Sequence, residues 1–316
     1  MKRIVVQKND AGQRLDKFLF KLMPAIPGSL LYKYIRKKRV KLNGKKSDEK
    51  YILKLGDVLE LYINDEYFDD GKNNENEFKK LTPKLSVVYE DENIILADKP
   101  VGMLVHEDSN ESINTLINNI KAYLWRNNEY DPESENSFVP ALCNRIDRNT
   151  GGIVIAAKNA ETLRIMNEKI KNREIKKTYL CLVCGHLPKK EDTICNYIAK
   201  NESQNRVYVE NDASSGGKKA ITHYKVLKEG KISSLVEVDL LTGRTHQIRA
   251  HMAYIGHPLV GDGKYGTNDW NKQFAMKHQA LYSYKLKFEF VDKNALSYLN
   301  DKIFEVKNVP FLKFLK

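Results

Sequence analysis

The chain has 316 residues, of which 41% are hydrophobic and 30% are charged, with 53 lysines and arginines against 41 aspartates and glutamates. This composition excludes a disordered or fibrous chain, and the length favours more than one folded domain. No apolar run approaches the roughly 20 residues that a membrane helix needs, and the start lacks a signal-peptide pattern, so we expect a soluble, cytoplasmic protein. Four cysteines are too few for a disulfide scaffold.

The net charge of +12 is concentrated in the first fifth of the chain. Residues 1–63 carry +10, residues 64–83 carry −3 and the remainder carries +5. A concentrated basic module is typical of a segment that binds a polyanion, with nucleic acid and an anionic membrane as candidates. Surface charge that serves only solubility is the competing interpretation.

Residues 1–63 have the pattern of a small folded domain. A first helix is predicted from three leucines on one helical face, Leu15, Leu19 and Leu22. A second helix is predicted to follow an N-cap at Ser29. The dipeptide Asn43-Gly44 is the strongest short hairpin signal, and alternation of apolar residues predicts a further strand over residues 58–63.

The basic side chains of this domain are expected to form one exposed surface on the second helix and the hairpin. They are Arg36, Lys37, Lys38, Arg39 and Lys41. A membrane-surface helix would need apolar residues available to lipid, whereas here the domain's own core requires them, so we favour phosphate binding. The segment resembles the S4-like RNA-binding domain over about residues 12 to 62, through ArgLeuAspLysPheLeu, IleArgLysLysArgValLysLeuAsnGlyLys and LysLeuGlyAspValLeuGluLeu.

Two further segments follow this basic domain. Residues 64–83 have an acidic bias and little apolar periodicity, which predicts a flexible linker. Residues 84–316 contain more short strands than helices, without strict alternation, so we predict an α+β domain around a largely antiparallel mixed sheet. Strands are predicted near 85–89, 94–97, 153–157, 179–183, 220–226, 235–240 and 286–290, and helices near 112–125, 160–171 and 245–255.

One short motif places a carboxylate between two arginines. In CysAsnArgIleAspArgAsnThrGlyGly, residues 143–152, Asp147 lies between Arg145 and Arg148, just before an apolar strand. One interpretation is an ordinary turn carboxylate in an ion pair. The other is an aspartate that a guanidinium keeps ionised as a nucleophile or base.

A second motif combines a predicted helix with arginines: LeuThrGlyArgThrHisGlnIleArgAlaHisMetAlaTyrIleGlyHisProLeuValGlyAsp, residues 241–262. The helix is expected to begin after Gly243 and to bury Ile248. Arg244 and Arg249 lie off its apolar stripe, near an N-terminus whose free N–H groups and dipole favour an anion. A capped helix with solvated arginines remains the alternative.

The sequence does not favour metal or nucleotide chemistry. The histidines of the second motif do not share one helical face, and no carboxylate joins them at ligand spacing. Cys181 and Cys184 form half of a zinc pattern, but in a strand they point to opposite faces, which favours buried structural thiols. Because no phosphate-binding loop or dinucleotide motif occurs, we expect neither a metal nor a cofactor.

Together the two motifs resemble the RluA-type pseudouridine synthases, of the RluC/RluD-like kind, in order and spacing. AspLysProValGlyMetLeuValHis at 98–106 and LysLysThrTyrLeuCysLeuValCysGly at 176–185 extend the resemblance over nearly all of residues 84–290. It implies the pseudouridine synthase fold and isomerisation of uridine in RNA. Because an S4-like domain is common in the branch that modifies large-subunit ribosomal RNA, the expected target is 23S RNA. The alternatives are a transfer RNA target or a non-catalytic RNA-binding or ribosome-assembly factor.

The resemblance also implies roles for individual residues. Asp147 would be the catalytic aspartate, Arg249 its ion-pair partner and Tyr179 the ring that stacks on uracil. Arg145 would fill the gap left when the uridine is flipped out of the stack. The other expected RNA contacts of this domain are Arg148, Arg244 and His246. RNA is the only partner expected, and the chain is expected to be a monomer.

Two positions depart from the family pattern. The chain has Asn144 where the family usually has histidine, and Gly151 where it usually has serine. Neither departure alters Asp147, its flanking arginines or Thr150, so we expect activity to be retained.

Overall fold

A computed structural model of the chain describes residues 1–68, 76–109, 111–201, 206–213 and 216–315. The first of its two compact units comprises Met1–Lys84, Ile117–Ala141 and Ala157–Arg164, and the second comprises Leu85–Leu116, Leu142–Ala156 and Ile165–Lys316. The domain boundaries at residues 63 and 84 stay predictions, and residues 69–75 of the predicted linker lie outside the described ranges. None of the helices within these ranges is long and apolar enough to cross a bilayer.

The first unit begins with two helices and a four-stranded sheet. Its elements are β1 (Lys2–Val5), α1 (Leu15–Leu22), α2 (Gly28–Arg36), β2 (Val40–Leu42), β3 (Lys45–Lys46) and β4 (Val58–Leu61). The strand order is β1–β4–β2–β3, with antiparallel neighbours. Asn43 and Gly44 adopt φ values of 50° and 74°, which confirms the tight hairpin turn expected from this dipeptide.

The core of this module forms from the predicted apolar faces. Leu15, Leu19 and Leu31 are inaccessible to solvent. The N-cap prediction at Ser29 is wrong, because α2 begins at Gly28 with Pro27 as its extended N-cap. Proline tolerates this position because a helix start leaves backbone N–H groups without intrahelical partners.

Two longer helices are described beyond this module. They are α3 (Leu116–Arg126) and α4 (Ala160–Lys171), as the periodicity at 112–125 and 160–171 predicts. In the first unit, the Lys84 N–H donates to Asn119 Oδ1 of α3 at 2.8 Å. Phe78, in the described end of the predicted linker, is buried with its ring centroid 6.0 Å from that of Tyr130.

The second unit contains a large sheet. Its strands and helices are β5 (Val87–Glu90), β6 (Ile94–Lys99), β7 (Ala141–Leu142), β8 (Gly151–Ala157), β9 (Ile175–Cys184), β10 (Glu191–Asn201), β11 (Arg206–Glu210), β12 (Lys218–Glu229), β13 (Ser233–Leu240), α5 (Gln247–Tyr254), α6 (Asn268–Phe274), β14 (Leu281–Phe288) and β15 (Ile303–Glu305). The strand order is β11–β10–β12–β13–β9–β14–β8–β6–β5, with β7 beside β8 and β15 beside β14. The strands from β11 to β14 pair antiparallel and β14 pairs parallel with β8, which confirms the largely antiparallel α+β prediction.

Two glycines allow β8 to approach β14 closely. Gly152 has φ +112° and lies against the backbone of Ser283, so this position excludes a side chain. A Cβ on the preceding Gly151 would collide with the ring of Tyr282, its Cδ2 2.8 Å away. The departure from the family's serine at this position therefore coincides with a tyrosine ring that fills the space.

We predict that Gly151→Ala lowers the free energy of unfolding by about 1–3 kcal/mol, the usual range for overpacking a tight site. Urea unfolding followed by circular dichroism measures this effect. Gly243→Ala is the control, since a Cβ there meets nothing within 4 Å. Equal stability of the two variants would contradict the steric explanation.

Candidate active site

Asp147 lies in the turn that leads into β8. The Thr150 N–H donates to the Asp147 carbonyl oxygen at 3.0 Å, which closes the turn. The Asp147 side chain is 30% exposed, and its Oδ2 accepts a hydrogen bond of 3.0 Å from Arg249 Nη1. The predicted ion pair between these two residues is therefore present, with the carboxylate as its accessible member.

Arg249, on α5, is buried between two carboxylates. Its Nε and Nη2 donate to Asp262 at 2.7 and 3.0 Å, in addition to the bond from Nη1 to Asp147. Asp262 is inaccessible to solvent, and its Oδ1 also accepts from the N–H groups of Lys264 and Tyr265. A bidentate guanidinium–carboxylate pair fixes the guanidinium plane, so Asp262 determines where Nη1 points.

The pKa values of Asp262 and Arg249 are shifted in opposite directions. Burial alone would raise the pKa of Asp262, but the Arg249 hydrogen bonds and charge outweigh burial and hold that pKa below its ordinary value. Burial alone would lower the pKa of Arg249, but Asp262 and then Asp147 raise it. The guanidinium therefore remains a fixed cation beside Asp147.

His246 lies beside the same carboxylate. It adopts the left-handed conformation, with φ 52°, immediately before α5, so this helix begins two residues later than the predicted range. Its Nε2 is 3.7 Å from Asp147 Oδ2, and its Nδ1 is 3.0 Å from the Tyr265 hydroxyl oxygen. Burial lowers the pKa of His246, which favours a neutral imidazole near neutral pH.

Tyr179 lies on β9, between β13 and β14, and is 7% exposed. Burial raises the pKa of Tyr179 to about 12, and the charge of Asp147 adds to this shift. The side chain therefore remains a neutral phenol at physiological pH. The stacking role of its ring stays a prediction.

Lys99, at the end of β6, hydrogen-bonds to the loop that carries Asp147. Its side chain is inaccessible, and Nζ donates to the carbonyl oxygens of Pro100, Met103 and Arg148 at 3.0, 2.8 and 2.9 Å. Burial lowers the pKa of Lys99 to about 7, while the charges of Asp147 and Asp98 oppose this shift. Three acceptors match the three donors of an ammonium group.

The three arginines of this unit that were predicted to contact RNA lie in different environments. Arg145 is exposed. Arg148 Nε donates to the Gly102 carbonyl at 3.0 Å, and Arg244 Nε donates to the Lys219 carbonyl at 3.0 Å. Two of the three arginines thus also stabilise local backbone.

Comparisons with known proteins identify the family of this chain. A family model described as RNA pseudouridylate synthase matches residues 93–254, and a model described as S4 domain matches residues 13–59. The chain belongs to the RNA pseudouridylate synthase family. It is therefore an isomerase, and its amino-terminal module is an S4 domain.

Several similar proteins align with most of this chain. An uncharacterised RNA pseudouridine synthase of Mycoplasma genitalium is 33% identical, over 99% of this chain and 98% of that protein. Ribosomal large subunit pseudouridine synthase C of Escherichia coli is 30% identical, over 86% of this chain and 82% of that protein. The structure of human RNA pseudouridylate synthase domain containing 1 shares the fold, with a TM-score of 0.57 and 24% identity over 75% of this chain and 89% of that one.

The basic set of the S4 domain lies on its surface, as predicted. Four of its members are exposed and Lys41 is half-buried. Arg39 lies over the Tyr34 ring at 5.0 Å, and Lys41 over the Tyr62 ring at 5.1 Å. These contacts place aromatic faces among the cations, an arrangement typical of surfaces that bind nucleic acid.

The histidines and cysteines show no arrangement for metal. Within the described ranges, no group of three or more histidine, cysteine or acidic side chains could hold a metal ion. His251 is inaccessible, and burial lowers its pKa to about 4. Cys181 and Cys184 are buried, as predicted, and burial raises the pKa of both thiols.

Sequence reasoning missed three residues that shape the site: Lys99, Asp262 and Tyr265. Lys99 and Asp262 lie within or at the end of the motifs that carried the resemblance, but nothing in those motifs indicated their partners. A signal did exist in GlyAspGlyLysTyrGly at 261–266, where an acidic residue stands in a glycine-rich turn soon after a basic helix. Such a turn has free N–H groups that orient a carboxylate.

We predict that Lys99→Met lowers the free energy of unfolding by about 2–4 kcal/mol, because it removes the buried ammonium group that donates to three backbone carbonyls. It should also slow single-turnover pseudouridine formation, since Arg148 is adjacent to Asp147. Lys99→Arg should recover part of both losses by restoring the charge. The exposed Lys228→Met is the matched control. A Lys99→Met protein as stable and active as this control would contradict the role of Lys99.

Proposed function

We propose that this enzyme converts uridine to pseudouridine in large-subunit (23S) ribosomal RNA, with Asp147 as the catalytic carboxylate. The observation that carries the assignment is the partly exposed Asp147 carboxylate, which accepts a hydrogen bond of 3.0 Å from the buried Arg249. Arg249 orients the carboxylate through its hydrogen bond, and the Tyr179 ring supports the uracil. Arg145, Arg148 and Arg244 contact the flipped strand.

The reaction breaks one carbon–nitrogen bond and forms one carbon–carbon bond. The glycosidic bond from N1 of uracil to the ribose breaks, the detached ring turns, and carbon 5 bonds to the same ribose carbon. Carbon 5 then loses its proton and N1 gains one, so the product is an isomer of the substrate. Asp147 initiates this sequence by attacking the sugar or the base, or by removing a sugar proton.

The choice of ribosomal RNA rests on the relatives and on the S4 surface. The relatives from Escherichia coli and Salmonella typhimurium are named large-subunit synthases. The carboxylate of Asp147 repels RNA phosphates, whereas the basic set at the end of α2, in the following turn and on β2 attracts them. We therefore assign substrate capture to the S4 domain and chemistry to Asp147, and infer a monomer that acts on ribosomal RNA in the cytoplasm.

We predict that Asp147→Asn, which preserves shape but removes the charge, lowers the rate of pseudouridine formation by about a thousandfold or more. RNA affinity should remain within a few-fold, because the repelling charge is lost and the basic surfaces are intact. Mapping pseudouridine by carbodiimide labelling in a strain with only this variant should show the loss in 23S RNA.

The control strain carries Asp269→Asn, a change of the same chemistry at the start of α6. Loss of pseudouridine from transfer RNA instead of 23S RNA would overturn the substrate assignment and keep the role of Asp147. A normal rate for the purified Asp147→Asn enzyme on its own target would overturn the catalytic assignment.

We predict that replacing the five basic residues of the S4 surface by glutamine makes the dependence of log affinity on log salt shallower by roughly 4 to 5 units for duplex RNA, and by less for single strands. The replaced residues are Arg36, Lys37, Lys38, Arg39 and Lys41. The turnover rate at saturating RNA should stay close to that of the parent enzyme, because the S4 surface captures RNA and takes no part in the chemistry.

A matched variant replaces five exposed lysines of the second unit, Lys228, Lys231, Lys293, Lys302 and Lys307. This variant has the same net charge but retains the S4 surface, so its salt slope should remain near that of the parent. Equal slopes for the two variants would show that net charge, and not this surface, determines affinity.

A further inference from the structure

Tyr265 connects three parts of the active site. Its ring lies between two guanidinium groups, with Arg249 Cζ 5.2 Å and Arg206 Cζ 5.1 Å from the ring centroid. Its hydroxyl oxygen accepts a hydrogen bond of 2.9 Å from the Val207 N–H and lies 3.0 Å from His246 Nδ1. Tyr265 thereby joins β11, α5 and the loop that carries Asp262.

The direction of the second hydrogen bond follows from counting donors and acceptors. The Val207 N–H can only donate, so the Tyr265 oxygen accepts there, and its own hydrogen needs an acceptor. If His246 Nδ1 carried a proton, it too would donate to this oxygen, and the hydroxyl hydrogen of a residue only 9% exposed would lose that acceptor. An unmade hydrogen bond of this kind costs about 1–3 kcal/mol. The favourable arrangement has Tyr265 donating to an unprotonated Nδ1.

We propose that Tyr265 is a positioning residue that fixes His246 in the neutral tautomer with its proton on Nε2, the nitrogen facing Asp147. This inference deepens the proposed function and rests on Asp147 as the catalytic carboxylate. The Asp147 carboxylate then accepts a hydrogen bond from the Arg249 guanidinium, and the neutral His246 N–H faces it with Nε2 3.7 Å away. The charged groups acting on His246 include Asp147, Arg249, Lys264 and Asp262.

The neutral state of His246 matters for the reactivity of the carboxylate. A protonated His246 would add a further positive charge close to Asp147, stabilise its negative charge and make it a weaker base and nucleophile. A neutral imidazole can orient the carboxylate with less of this cost. Because its Nε2 carries the proton, His246 is a donor toward the site, which excludes a role as general base at that nitrogen.

The tautomer is measurable without RNA and without activity. In full-length enzyme containing isotope-labelled histidine, a long-range proton–nitrogen correlation spectrum distinguishes the two neutral tautomers and the imidazolium. The chain has 7 histidines, and the signal that disappears in His246→Gln belongs to His246. We expect the Nε2-protonated neutral form near neutral pH.

Tyr265→Phe removes the hydroxyl and retains the ring between the two arginines. We expect the His246 spectrum to change to a mixed or Nδ1-protonated pattern, and the single-turnover rate to fall by about tenfold with a smaller change in KM. Tyr224→Phe is the control, because Tyr224 is also buried and its hydroxyl contacts the Lys189 carbonyl. It should change neither the spectrum nor the rate.

Two results would overturn the proposal. One is a parent enzyme whose His246 is protonated on Nδ1 or is an imidazolium near neutral pH. The other is an unchanged His246 spectrum in Tyr265→Phe. Because both readouts use the free enzyme, they are independent of the Asp147 assignment. An active Asp147→Asn enzyme would instead overturn the catalytic role while leaving the tautomer result in place.

Discussion

The active site depends on one buried guanidinium shared by two carboxylates. Moving an isolated charge into a protein interior costs several kcal/mol, and a buried ion pair persists only where geometry and additional hydrogen bonds compensate. Arg249 meets this condition through Asp262, which engages two of its nitrogens and accepts two backbone N–H groups as well. Asp262 is the fixed counter-charge, and Arg249 is held whether or not Asp147 is engaged.

This division of roles explains why Asp147 can be both oriented and accessible. A carboxylate that alone neutralised a buried arginine would be enclosed with it. Here the inaccessible Asp262 takes that role, and Asp147, 30% exposed, accepts one hydrogen bond from the remaining Nη1. Tyr265 reinforces the arrangement, since its ring contacts the guanidinium face and its backbone N–H bonds Asp262. The hydrogen bonds of Arg249 and Tyr265 therefore hold Asp147 and His246 to the same buried group of side chains.

Local sequence patterns predicted most helices and strands because each of these buries a regular apolar face or a continuous apolar run. The helix at 160–171 has the predicted bounds, and the fully buried β8 contains the apolar run at 153–157. Apolar periodicity failed to predict the segments that bury few residues. In β10, apolar and polar residues alternate little, and the buried apolar residues are Ile194 and Ile198. The seven residues of α6 bury only Phe274. Such segments are specified by pairing with distant strands, which local periodicity does not record.

The site was predictable to the extent that its residues are close in the sequence. Arg249 and His246 share a motif, whereas Asp147 reaches them only through tertiary folding, so their pairing rested on the family resemblance. No local rule indicates which of 41 acidic residues folds back onto Arg249. The three hydrogen bonds of Lys99 are still harder to foresee, because their acceptors are backbone carbonyls, which any residue could supply.

The close contact between β8 and β14 shows how the departure at Gly151 is accommodated within this framework. The Tyr282 ring occupies the space beside Gly151, and its hydroxyl donates to Asp98 at 2.6 Å. Asp98 precedes Lys99, whose ammonium group bonds the Arg148 carbonyl next to Asp147. A hydrogen-bonded connection thus runs from the strand beside Gly151 to the loop of the catalytic carboxylate. Two contacts therefore stabilise this region in a chain that has glycine at residue 151: Tyr282 bonds Asp98 on β6, and Lys99 bonds the Arg148 carbonyl next to Asp147.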